Sequence, residues 1–136
     1  MSKYEGQIAE LLTARNVQFR RQQPIPIFDY PWRTKYSRGL HSDFYLPDKD
    51  LHLEVKGYMT LEAMFKMRWL IDNCNYYIFQ VSEHLWVQTP GVSKAESLRK
   101  QILQQADEIV TLPVSKFRKI SKERLHRFCA YSLLSG

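Results

Sequence analysis

Apolar positions along the chain switch repeatedly between helical and strand periods, and the switches mark the elements. Tyr4, Ile8, Leu11 and Leu12 recur at helical spacing before Asn16, a suitable C-terminal stop. From Val17 to Phe28 the alternation is loose and is broken by Pro24 and Pro26, which predicts a first strand at a sheet edge or with a bulge. Strict alternation follows in Leu51–Lys56, with Leu51, Leu53 and Val55 on one face and His52, Glu54 and Lys56 on the other. Pro47-Asp48-Lys49-Asp50 is rich in turn formers and separates that run from His41–Leu46, as a hairpin loop does. Thr60 is a suitable N-cap for a packing helix over 61–73, and the run 76–81 reads as a buried central strand. A short further strand is expected over Leu85–Gln88, after the turn Ser82-Glu83-His84.

Beyond Pro90, Ser93 with Glu96 three residues on marks a helix start, and Leu98, Ile102 and either Leu103 or Ala106 form its apolar face through Asp107. Val110, Leu112 and Val114 predict a short extended segment interrupted by Pro113. A last helix over 121–134 is expected to bury Leu125, Phe128, Cys129, Tyr131 and Leu133 while presenting Arg124 and Arg127. The order helix, three strands, helix, strand fits an α/β class with a central mixed sheet flanked by helices, in which 76–81 runs parallel to its neighbour.

Length and composition narrow this picture. At 136 residues with 44% hydrophobic content, the chain suffices for one domain with a real core: 1–112 as the core, 113–136 as its basic helical extension. The net charge of +6 and pI near 9.4 favour a polyanionic partner. The excess is concentrated: Lys116, Arg118, Lys119, Lys122, Arg124 and Arg127 stand against Glu123 alone, a net +5 after residue 112. Cys74 and Cys129 are far apart without zinc-ligand spacing, and read as reduced cysteines of a cytoplasmic protein. His41, His52, His84 and His126 are not spaced as a ligand set. The opening residues are polar and no run of eighteen apolar residues occurs, so neither export nor membrane association is expected.

Candidate chemistry lies in the hairpin. Glu54 and Lys56 point the same way, about 6–7 Å apart along the strand, and the fold-back brings Asp43 alongside Glu54. Two carboxylates held together repel unless a cation sits between them, and hard oxygen donors with room for water suit Mg²⁺ or Mn²⁺. Lys56 beside such a cation is suited to orient or deprotonate a water, or to offset charge building on a phosphorane-like transition state. A cross-strand ion pair on an exposed face is the plain structural alternative.

Asp43-Phe44 followed by Glu54-Val55-Lys56-Gly57 resembles the core of the PD-(D/E)xK nuclease superfamily, with Ser42 where that family often has Pro. Ser2-Lys3-Tyr4-Glu5, Asp43-Phe44-Tyr45-Leu46-Pro47 and Glu54-Val55-Lys56-Gly57 together are similar to phage-type endonucleases and Holliday-junction resolvases, over residues 2 to 81. The resemblance implies a restriction-endonuclease-like core, Asp43 and Glu54 as metal ligands, Lys56 as base or charge stabiliser, and Glu5 reaching in from the first helix as a further ligand. Ser2-x-x-Glu5 fits a capping box equally well, so Glu5 has two readings.

The expected partner is DNA. Arg33, Lys35 and Arg38 alternate with Tyr30, Trp32 and Tyr36 in the irregular stretch 29–40, a composition suited to phosphate contact and base stacking. Lys116, Arg118, Lys119, Lys122 and Arg124 are the candidate grip on the phosphate backbone. Lys66, on the exposed face of the helix over 61–73, is expected to be solvated, Gln80 to lie near the site at the end of its strand, and His52 to face the acids. The leading expectation is a Mg²⁺-dependent DNA endonuclease, structure-selective on branched DNA and used in recombination as a homodimer or within a larger nucleoprotein complex. The alternatives are a noncatalytic DNA-binding or assembly subunit with a nuclease-like fold, and a small protein-interaction domain.

Overall fold

The hairpin around Pro47–Asp50 forms the middle of a four-stranded sheet in the computed structural model, which describes residues 3–26, 30–31, 39–57, 59–81 and 90–135, with backbone alone at 3 and 130–135. The elements are α1 (Lys3–Ala14), β1 (Arg20–Pro24), β2 (His41–Leu46), β3 (Leu51–Lys56), α2 (Leu61–Asn73), β4 (Tyr76–Gln80), α3 (Lys94–Thr111) and α4 (Phe117–Ser135). Strand order is β1-β2-β3-β4, antiparallel except for the parallel pair β3–β4. The class is α/β with a mixed sheet flanked by helices.

Local chemistry accounts for each boundary. The turn between β2 and β3 is a single 3-10 turn, Pro47–Lys49, closed by Asp50 at φ 47°, a left-handed conformation that Asp tolerates better than most residues. β1 is the edge strand anticipated from its prolines, but it is shorter than Val17–Phe28 and closes at Pro24, which has no N–H to donate. Thr60 and Ser93 cap α2 and α3, accepting from Ala63 and Glu96 N–H at 3.1 and 3.2 Å. Alternating residues of β4 then enter two separate cores. Tyr77 and Phe79 join Phe44, Leu46, Leu51 and Leu53 beneath α1 and α3, while Tyr76 and Ile78 pack with Met64, Met67, Leu70 and Ile71 of α2 and Leu125 and Phe128 of α4.

Among the described residues, the edge of β4 away from β3 is met by side chains of α3 and α4. Gln105 of α3 accepts from Gln80 N–H at 2.9 Å and donates to Gln80 C=O at 2.7 Å. Ser121 of α4 accepts from Ile78 N–H and donates to Tyr76 C=O, at 3.1 and 3.0 Å, and Arg124 donates to Ile78 C=O at 2.7 Å. These polar residues satisfy backbone groups that are buried against the two helices. Gln105→Leu strips both partners from the Gln80 backbone and is expected to destabilise the fold by about 2–4 kcal/mol, measured by urea denaturation.

The C-terminal third departs from the sequence expectation. Val110 continues α3, and Val114 opens a 3-10 turn, Val114–Lys116, so no extended segment forms there. Pro113 follows the end of α3 without starting a strand. α4 begins at Phe117, four residues earlier than expected, because Phe117 is buried against Tyr77 at 4.8 Å between ring centres. The expected strand over 85–88, His84, and the side chains of Tyr131 and Leu133 lie outside the described residues. Both cysteines are free thiols, and burial pushes the Cys74 thiol up to about 12. No helix among the described residues is long and apolar enough to cross a membrane.

Candidate active site

The site begins where β2 and β3 stop pairing as a regular ladder. Their last matched pair toward the open end is Phe44 with Leu53, and the next position sets Asp43 opposite Glu54. There Asp43 Oδ2 accepts from Val55 N–H at 2.8 Å, so a side-chain oxygen takes the place of a backbone acceptor and fixes the carboxylate between the strands. Glu54 is buried on β3, and Lys56 Nζ stands 3.7 Å from Glu54 Oε1. Asp43, Glu54 and Lys56 are thus brought together as the hairpin geometry requires.

Electrostatics in this cluster are unfavourable to two ionised acids. Burial, then the Asp43 charge, raises the Glu54 carboxyl to about 7, against the opposing pull of Lys56 and Lys66. Asp43 is also raised, chiefly by burial, although the Val55 N–H lowers it. Glu54 Oε2 is buried with no hydrogen-bond partner among the described residues. An orphaned, buried carboxylate oxygen beside a second acid is an arrangement that a divalent cation relieves, and the all-oxygen donor set fits Mg²⁺ or Mn²⁺.

Glu5 enters from the first turn of α1. It lies beside Asp43, whose carboxyl it helps to raise, and 3.9 Å from Arg21, whose guanidinium sits 4.6 Å above the Phe44 ring. Ser2, the partner in the capping-box reading, is outside the described residues. No group of three or more His, Cys, Asp or Glu side chains converges as a metal cage among the described residues. The donors present are therefore the two hairpin carboxylates with Glu5 bordering Asp43, an open set that leaves room for water and substrate oxygens.

One neighbour was not singled out from the sequence, and another lies closer to the acids than solvation implies. Tyr76, opposite His52 on β4, hydrogen-bonds the Glu54 carboxyl from a fully buried position. Lys66, expected in solvent, is near enough for its charge to act on Glu54. Tyr76 stood in an aromatic run and read only as core; the parallel register that sets its hydroxyl toward Glu54 was the missing signal. His52 shares the Glu54 strand face, but Ser42 Oγ is 2.9 Å from its Nδ1 and burial lowers its pKa, so it belongs to the sheet interior.

The candidate phosphate contacts separate into groups. Arg33, Lys35 and Arg38 lie outside the described residues. Lys116, Arg118 and Lys119 are exposed around the start of α4, and Lys122 pairs with Asp72 at 3.2 Å. Arg124 is a correction: only 7% exposed, it donates to Ile78 C=O, pairs with Glu108 at 3.3 Å and lies over the Tyr77 ring. It faces inward because it is on the same helical stripe as Ser121, Leu125 and Phe128, and a guanidinium suits the open strand edge it meets. Arg118 lines a cavity of about 360 Å³ with Asp50, His52 and Asn75, at the end where β3 and β4 begin. Glu54 and Lys56 stand where β3 finishes, so Arg118 and the acids lie toward opposite ends of β3.

No family model, curated protein or solved structure matches the chain.

Proposed function

We propose that the protein is a metal-dependent endonuclease that hydrolyses phosphodiester bonds in DNA, with a restriction-endonuclease-like core of the PD-(D/E)xK kind. The observation that carries this reading is the hairpin cluster: Asp43 opposite Glu54, Lys56 Nζ 3.7 Å from Glu54, and an unpartnered buried Glu54 oxygen. Asp43 and Glu54 are the residues that hold Mg²⁺ or Mn²⁺, with Glu5 alongside Asp43. The bound cation supplies Lewis-acid polarisation of the phosphate and a more acidic water. Lys56 orients the attacking water and offsets charge on the phosphate as the bond breaks. Tyr76 fixes the Glu54 carboxyl through its hydroxyl. Lys116, Arg118 and Lys119 are suited to hold a stretch of backbone away from the cut, and branched DNA is the substrate class that the resemblance implies.

A second reading, a noncatalytic DNA-binding or assembly subunit, is favoured by one surface. Leu61 and Phe65 are 67% and 60% exposed on α2, beside a groove of about 330 Å³ lined by Met64, Leu125 and Cys129. The two readings divide on one assay. Labelled linear duplex, single-strand, flap and four-way-junction DNA are incubated with wild type and with Lys56→Ala, in Mg²⁺, Mn²⁺ or EDTA. The nuclease reading expects metal-dependent cutting by wild type that falls at least about a hundred-fold in the variant. DNA binding without any cutting sinks it in favour of the subunit.

A further inference from the structure

Gln80 ends β4 with its side chain fully buried, at 0% exposure, and neither Oε1 nor Nε2 has a hydrogen-bond partner among the described residues. A carboxamide removed from water with both of its polar atoms unsatisfied is unfavourable, and its persistence calls for a partner that arrives from outside the chain. The backbone of the same residue is in the opposite condition. Gln105 satisfies both its N–H and its C=O, at 2.9 and 2.7 Å, so the position is rigidly held while the side chain is left open. In the parallel ladder Gln80 pairs with Lys56, two residues beyond the pairing of Glu54 with Ile78. Paired residues of neighbouring strands share a face, about 4.8 Å apart, so the carboxamide and the Lys56 amine leave the sheet side by side. Both stand at the carboxyl ends of parallel strands, where α/β sheets take their ligands.

We propose that Gln80 is a substrate-contacting residue, its Nε2–H donating to a non-bridging oxygen of the DNA phosphate held beside Lys56 and its Oε1 accepting from a water of the same site. This rests on the nuclease reading above. A neutral amide suits the place: it donates to a phosphate as side-chain amides commonly do, without repelling that phosphate or competing with Asp43 and Glu54 for the cation. A carboxylate there would do both. An apolar residue of the same size would pack as well or better, which leaves the amide unexplained by the fold.

The test compares wild type with Gln80→Met and Gln80→Glu in thermal unfolding without DNA and in Mg²⁺-dependent cleavage of the best-cut DNA. Gln80→Met is expected to unfold at the same or a higher temperature than wild type, while its kcat/KM falls about 10- to 100-fold, the worth of one hydrogen bond to a charged group. Gln80→Glu is expected to cut still less. A Gln80→Met protein that unfolds several degrees lower assigns the residue to the core and overturns the proposal. Wild-type cleavage by Gln80→Met overturns it too and leaves the nuclease reading standing, whereas a wild type that cuts no DNA overturns both.

Discussion

At pH 8 in EDTA, Glu54→Gln is expected to unfold at a higher temperature than wild type, by on the order of 10 °C, and at pH 4.5 the two are expected to unfold together. The Glu54 carboxyl is raised from 4.5 to about 7 in the folded protein, by burial first and by Asp43 second. A carboxyl raised on folding contributes stability that is complete below its unfolded pKa and is lost as pH climbs through the folded value. The window is therefore pH 4.5 to 7, and the loss amounts to up to about 3 kcal/mol. Asp43, raised in the same direction, steepens the slope. Glutamine keeps the shape and removes the titration. Saturating Mg²⁺ at pH 8 is expected to raise the melting temperature of wild type and leave that of Glu54→Gln nearly unchanged, since ligand binding stabilises only the state that binds. Differential scanning calorimetry across pH, with and without Mg²⁺, checks both. A melting temperature of wild type that rises steadily from pH 5 to 8 without metal contradicts the burial of an ionisable Glu54.

Arg124→Ala is expected to destabilise the fold by about 3 kcal/mol, the largest effect of any basic residue in 113–136. The substitution leaves Ile78 C=O without its 2.7 Å donor on a buried strand edge, removes the partner of Glu108 and uncovers the Tyr77 ring. Arg124→Lys restores the charge without the fork that spans Ile78 and Glu108, and is expected to recover less than half of the loss. Lys119→Ala, exposed on the same helix, is expected to change stability by less than about 0.5 kcal/mol. Urea denaturation of the three variants separates the inward arginine from its outward neighbours. Equal stability of Arg124→Ala and Lys119→Ala would return Arg124 to the surface.

Elements whose determinants are close in sequence were legible before the structure. The alternation of Leu51–Lys56, the turn formers Pro47–Asp50, the caps Thr60 and Ser93 and the apolar run of β4 each act within a few residues. The placement of Asp43 across from Glu54, one position past the last ladder pair, followed because a hairpin register is set by its own turn. Determinants that lie far apart in the chain were hidden. Ser121 reads as a helix start and Gln105 is not among the residues read as the apolar face of its helix, yet both bond backbone atoms of β4, 43 and 25 residues away. Arg124 lies on the buried stripe by spacing alone, and its charge argued for solvent until the open strand edge supplied a carbonyl to meet it. Tyr76 was hidden likewise, because only the parallel β3–β4 register sets it on the face of Glu54 and Lys56, whereas Gln80 was placed near the site by its position at the end of the strand.

The most direct test of the cation site is the electron paramagnetic resonance titration of Mn²⁺ into wild type, Asp43→Asn and Glu54→Gln at pH 8. Wild type is expected to remove free Mn²⁺ signal in proportion to protein, and each variant to lose at least about ten-fold in affinity. Equal Mn²⁺ binding by all three proteins, or none by wild type with or without DNA, would contradict the assignment of Asp43 and Glu54 as the metal-holding pair.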